Sequence, residues 1–168
     1  MLRLGLPIAA LAALLDQLSK WWVVEKLFRP EGVTATPFFT AQRIVLVPFF
    51  NLVLGWNRGV SFSILNHGDT SRNPLLLSLL TAAIVVGMVV WLTRVDNRRL
   101  AVALGLVIGG AVGNLIDRIR VGAVADFLDF HVGLWHWPAF NLADSAITVG
   151  AVIIVLDSLF APRKSSKN

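Results

Sequence analysis

Four apolar runs, at residues 4–24, 74–93, 100–116 and 139–160, constrain this chain more than any other feature. A bilayer core about 30 Å thick takes roughly 20 apolar residues in helical form, and each run is of that order. A sequence of 168 residues that is 56% hydrophobic and only 15% charged has too little polar surface to cover itself in water. The expected fold class is therefore an all-α membrane protein. Its four transmembrane helices form a single integral membrane domain over residues 1–168, with longer segments at 25–73 and 117–139 on one side.

The beginning of the first run imitates a cleaved secretory signal, with Arg3 ahead of apolar residues and a small-residue stretch at Ala10-Leu11-Ala12. The run nevertheless continues through Asp16, Lys20, Trp21 and Trp22, which suit the outer half of a retained helix better than a discarded leader. The formal charge of +5 does not indicate nucleic acid, because the basic residues lie at the ends of apolar runs and never line one helix face. With no cysteine, the chain has no disulfide, no thiol nucleophile and no Cys-ligated zinc. Arg3, then Arg94, Arg98 and Arg99, then Arg163, Lys164 and Lys167 crowd short segments beside the apolar runs, so both termini are expected on the cytoplasmic side.

Residues 43–56 are rich in β-branched and aromatic side chains and are broken by Pro48, which reads as a short β-hairpin or flap on the outer face. Asn57-Arg58-Gly59 follows, where Gly59 permits a tight backbone path, and residues 66–73 read as a polar loop. His67, His131 and His136 lack metal-ligand spacing; with Trp135 and Trp137 they suit a membrane interface.

Several polar groups fall within or beside the apolar runs. Asp16 and Lys20 stand four residues apart, on one helix face, either as an ion pair that eases insertion or as a brace for a site, together with Gln17 and Ser19. Asn114, Asp117 and Arg118 occupy positions i, i+3 and i+4. They form either an interfacial anchor in which Asp117 pairs with Arg120, or an inward cluster of donors for a carbonyl or carboxylate. Gly105, Gly109, Gly110 and Gly113 on the same run would let neighbouring helices approach closely enough to join these groups.

Asp126 and Asp144 carry the sharpest chemical reading. Taken singly, Asp144 has the spacing of a helix capping box with Asn141, and Asp126 and its neighbour Asp129 are solvated loop acids. Taken together, two carboxylates near one membrane face share a proton, because both cannot ionise cheaply. Such a pair activates a water with one member and protonates a carbonyl oxygen with the other, which is the equipment for peptide hydrolysis without metal or cofactor. Neither a Gly-x-Ser-x-Gly elbow nor a His-Glu-x-x-His pair occurs. A small proton-coupled transporter or channel using Asp16, Asp117, Asp126 and Asp144 as a relay is the competing reading, and a non-catalytic assembly factor is a third.

Five ordered motifs then bring the chain close to a known family. Asp16-Gln17-Leu18-Ser19-Lys20, Asn57-Arg58-Gly59-Val60-Ser61-Phe62-Ser63, Gly113-Asn114-Leu115-Ile116-Asp117-Arg118, Val124-Ala125-Asp126-Phe127 and Phe140-Asn141-Leu142-Ala143-Asp144-Ser145 resemble those of the lipoprotein signal peptidases, the type II enzymes of bacterial inner membranes. The resemblance implies an aspartic peptidase that cleaves prolipoproteins on the amino side of a diacylglyceryl-modified cysteine, with Asp126 and Asp144 catalytic. It also implies that Asn57, Asn114, Arg118 and Asn141 bind substrate, that Asp16, Lys20, Gly59 and Asp117 support them, and that no metal or cofactor takes part. Further implications are a β-cradle over the site and globomycin as an inhibitor; the charge topology separately places the site toward the outer face of the cytoplasmic membrane, and contact with phospholipid and a monomeric state are expected as well. The chain departs from the family's common pattern at Ala125, at Arg58 and across residues 30–42, where no motif aligns.

Overall fold

The computed structural model describes residues 1–34, 39, 43–59 and 73–160. Helix α1 (Leu2–Trp22) passes into a π-helical turn (Val23–Phe28), followed by strands β1 (Ile44–Val47) and β2 (Phe50–Asn57) and helices α2 (Asn73–Arg94) and α3 (Arg98–Val121). Strands β3 (Val124–Val132) and β4 (Trp135–His136) then lead to helix α4 (Leu142–Phe160). All four helices are long and apolar enough to cross a membrane.

Helix α3 is the hub, since 67% of its apolar window is buried, against 6% for α2 and 11% for α4. Asn97 caps its start by accepting a hydrogen bond from the Arg99 backbone at 2.8 Å, and the Asn97 amide also donates to Asp157 near the end of α4 at 2.8 Å. At the other end Gly122 takes the left-handed conformation, φ 74°, which closes the helix. Small residues set the spacing between the two ends. A Cβ on Gly105 would meet the Gly5 carbonyl, one on Gly109 the Ala9 carbonyl, and one on Gly110 the Ala143 carbonyl. Backbone therefore rests on backbone along both α1–α3 and α3–α4. Gly109→Val is expected to lower stability by about 1–3 kcal/mol through overpacking, read as a lower unfolding temperature in detergent; an unchanged temperature would mean that the helices do not need this approach.

The hairpin expected at residues 43–56 is present, with Pro48 in its turn between β1 and β2. Its partner differs from expectation. Residues 122–130, read as a loop, instead form β3, which pairs antiparallel with β2 to give a four-stranded sheet in the order β1-β2-β3-β4. The third helix runs five residues past the expected end at 116. The fourth starts at Leu142 rather than 139, because Phe140 is held in a backbone bridge to Leu128 and Asn141 caps the helix. The sheet packs through Leu54, Ala125 and Phe127 on Val23, Val24 and Phe28 of the π-helical turn. It therefore sits at the end of the bundle where α1 and α3 finish and α4 begins. The expected polar loop at 66–73 and the motif residues Val60, Ser61, Phe62 and Ser63 lie outside the described residues, apart from Asn73, whose backbone begins α2.

Candidate active site

Asp144 lies in the first turn of α4, where the capping box that the sequence suggested is formed. Its backbone N–H donates to Asn141 Oδ1 at 3.0 Å, and the Asn141 N–H donates back to Asp144 Oδ2 at 3.2 Å. Capping occupies only one carboxylate oxygen. The other, Oδ1, accepts from Asn114 Nδ2 of α3 at 2.8 Å.

Asp126 is on β3 rather than in a loop, and it is buried. Its Oδ1 accepts from Asn141 Nδ2 at 2.7 Å and its Oδ2 from Asn57 Nδ2, at the end of β2, at 3.0 Å. The oxygen of Asn57 accepts from the Gly59 N–H at 2.8 Å, and Gly59 has φ 81°, a conformation in which a side chain is strained. Asn141 therefore stands between the two acids, with its amide nitrogen on Asp126 and its oxygen on the backbone of Asp144.

Donor and acceptor inventory fixes which way each amide faces. Because Asn141 Oδ1 accepts from a backbone N–H, its nitrogen must turn to Asp126. The Lys20 ammonium can only donate, so Asn114 presents Oδ1 to it at 2.9 Å and Nδ2 to Asp144. Lys20 in turn is clamped between Asp16 and Asp117, 2.8 Å from each, and all three are buried. Gln17 donates to Asp117 Oδ1 at 2.8 Å and to the Gly113 carbonyl at 3.1 Å. Asp117 thus pairs with α1 and not with Arg120, correcting the interfacial-anchor alternative. Asp16 Oδ1 accepts from the Ala143 N–H at 3.0 Å, so an acid of α1 caps the positive end of α4. A Cβ on Gly113 would collide with the Asp16 carboxylate, so only glycine leaves room for this contact.

Arg118 is placed differently from the others. It touches neither aspartate among the described residues; its Nη1 reaches the Asn114 carbonyl at 3.4 Å, and its buried Nε has no hydrogen-bond partner. A second polar cluster, not expected from the sequence, lies on the sheet. Asp129, read as solvated, is buried, accepting from Asn51 Nδ2 at 2.8 Å and facing His136 Nδ1 at 2.8 Å. Burial alone would push the Asp129 carboxyl up, but Asn51 and His136 outweigh it and hold it below the ordinary carboxylate range. The alternation of apolar and polar residues in Leu128-Asp129-Phe130-His131-Val132 was the signal available for a strand, and hence for this cluster.

Electrostatics separate Asp126 from an ordinary acid. Burial, reinforced by the nearby charge of Asp144, raises its pKa from 3.8 to about 6, against the pull of Asn57, Asn141 and Lys20. A raised folded-state value means that the stability associated with the protonated form is fully present below about 3.8 and is lost as pH rises through about 6. The loss amounts to about 3 kcal/mol at neutral pH, at about 1.36 kcal/mol per unit. Asp126→Asn has no such titration, so its unfolding temperature relative to the parent should climb between pH 4 and pH 7. A difference that stays constant over that range would contradict the raised value.

The chain matches the family described as Signal peptidase (SPase) II over residues 8–160. It is 46% identical to a lipoprotein signal peptidase of Methylorubrum extorquens (strain PA1), covering 98% of this chain and 91% of that one. It is 44% identical to a lipoprotein signal peptidase of Paraburkholderia phymatum, covering 92% and 86%. A solved bacterial membrane enzyme superposes with a TM-score of 0.74 at 26% identity, covering 94% of each chain. With these matches spanning almost its full length, the chain belongs to the signal peptidase II family.

Proposed function

We propose that this chain is an aspartic endopeptidase that removes signal peptides from diacylglyceryl-modified prolipoproteins on the amino side of the lipidated cysteine, with Asp126 and Asp144 as its catalytic residues. The observation that carries the reading is Asn141, whose side-chain amide donates to the Asp126 carboxylate at 2.7 Å and whose backbone N–H donates to the Asp144 carboxylate at 3.2 Å, so that one residue holds both acids. Family membership supports the substrate class.

The reactive form is the one in which Asp126, its pKa raised to about 6, carries the proton; that form is a minority at neutral pH and grows as pH falls toward 6. Asp144 takes a proton from a water as the water oxygen attacks the scissile carbonyl carbon, while Asp126 delivers its proton to the carbonyl oxygen, giving a gem-diol. The proton gained by Asp144 then passes to the amide nitrogen and the C–N bond breaks. A gem-diol hydroxyl returns its proton to Asp126, leaving a carboxylic acid and the free amine of the cysteine. No metal or cofactor enters this cycle.

Asn57, Asn114 and Asn141 hold the two carboxylates and line the substrate pocket, and Arg118, whose Nε is unpartnered, faces the substrate backbone. Asp16, Lys20, Asp117 and Gly59 keep these groups in place. The chain works as a monomer in the bacterial cytoplasmic membrane, in contact with phospholipid, with both termini inside and the site toward the outer face. The dense basic residues of the short connection at 94–99 support that orientation. The lipid anchor holds the scissile bond at fixed depth, which converts binding into positioning.

The test is incubation of the purified chain in vesicles with a prolipoprotein in lipidated and unlipidated forms, followed by sequencing of the new amino terminus. Cleavage of the lipidated form alone, just ahead of its cysteine, is expected. Cleavage of neither, together with a proton flux across the vesicle that depends on the same aspartates, would favour the transporter instead.

A further inference from the structure

We propose that the adjoining tips of the two hairpins, residues 45–49 and 130–137, insert into the headgroup–acyl boundary of the bilayer beside α4, so that the sheet carries a docking surface for lipid. The path of β3 is the first argument. It begins three residues after the last residue of α3, Val121, and at Leu128 it is bridged to Phe140, two residues before α4 starts. Four residues at about 3.3 Å each span roughly 13 Å, close to the 8–10 Å between packed helices. The strand therefore crosses from the end of one span to the start of the next, along the membrane plane rather than away from it. Continued to Val132, it travels about as far again, past α4. The outer side of α4 exposes Val149, Val152, Val155 and Leu156, a face suited to lipid.

The chemistry of the overhanging tips is the second argument. Leu134 is 100% exposed, Val132 78% and Trp135 62%, with Phe130 and Trp137 also exposed. The neighbouring hairpin exposes Val45, Leu46, Val47 and Phe49. The tips are one surface, because the His131 N–H donates to the Phe49 carbonyl at 3.0 Å and the rings of Phe50 and Phe130 lie 4.6 Å apart. No Asp, Glu, Lys or Arg occurs at residues 44–50 or 130–138. In water such an uncharged apolar surface is a liability; at an interface, tryptophan and leucine belong there. Trp21 and Trp22, exposed where α1 ends, lie at the same end of the bundle. Continuity with the lipid-facing side of α4 favours lipid over a second copy of the chain.

The absence of cysteine makes the test direct. Leu134→Cys places one thiol at a fully exposed side chain, and a nitroxide on it reports its surroundings in phosphatidylcholine–phosphatidylglycerol vesicles. The expected result is oxygen accessibility several-fold above that of an aqueous nickel chelate, at a depth of roughly 5–10 Å below the headgroups. The same label at Asp96, exposed in the turn between α2 and α3, should show the reverse. Chelate-dominated relaxation at position 134 would place the tip in water and overturn the proposal. Dipolar broadening that disappears on dilution with unlabelled chain would assign the surface to a second copy, and overturn it equally.

Discussion

Asp126→Asn and Asp144→Asn are each expected to lower kcat on a lipidated prolipoprotein by about 10²–10⁴-fold, with the folded chain retained. In the proposed mechanism each substitution removes a proton transfer but keeps size and most contacts. Asp144 accepts from Asn114 and from the Asn141 backbone, and Asp126 accepts from Asn57 and Asn141, so an amide in either place disturbs about one hydrogen bond, on the order of 1 kcal/mol. The double variant should be little slower than either single one, because the two acids act as a unit. Asp129→Asn is the control from the same strand: its partners are Asn51 and His136, and turnover should stay near the parent. Near-parental turnover in either dyad variant would remove that residue from the mechanism.

Lys20→Met should destabilise the chain by about 3–5 kcal/mol, the range for breaking a buried ion pair by deleting one partner. The ammonium neutralises both Asp16 and Asp117, and without it two buried carboxylates face each other with no cation between them. Removing those charges as well, in Lys20→Met with Asp16→Asn and Asp117→Asn, should recover much of the unfolding temperature. Activity should stay low, because only the longer bond from Asn141 Nδ2, at 3.2 Å, then keeps the Asn114 oxygen facing away from Asp144. Recovery of both together would mean that Lys20 serves stability alone.

The helices were legible because hydropathy over about 20 residues is a local property that lipid enforces. The capping box of Asn141 and Asp144 was legible for the same reason, its partners being three residues apart. Strand β3 was not. Its identity depends on β2, and the Asn57–Asp126 contact joins residues 69 apart, while Asn51 and Asp129 are 78 apart. Two acids in a nine-residue stretch read as solvent-facing until a distant strand buries them. The early reading of α4 has a similar cause: Ala139 and Phe140 are apolar enough for a helix, but hydropathy cannot register that Phe140 is engaged by the backbone of Leu128. Apolar glycine positions on α3 suggested close packing correctly, since the need for a small residue is carried by the glycine itself.

Asn141 joins the start of the last helix to the acid on β3, and this has a consequence for the order in which the molecule comes into being. Its cap on α4 needs only residues 141–144, but its hold on Asp126 exists only once α4 has docked beside β3. A nascent chain that stops short of α4 holds at most Asp126 of the two acids. With the proposed pair as the catalytic groups, proteolytic competence arrives with the closing step of membrane assembly, and an incompletely inserted chain is expected to be inert.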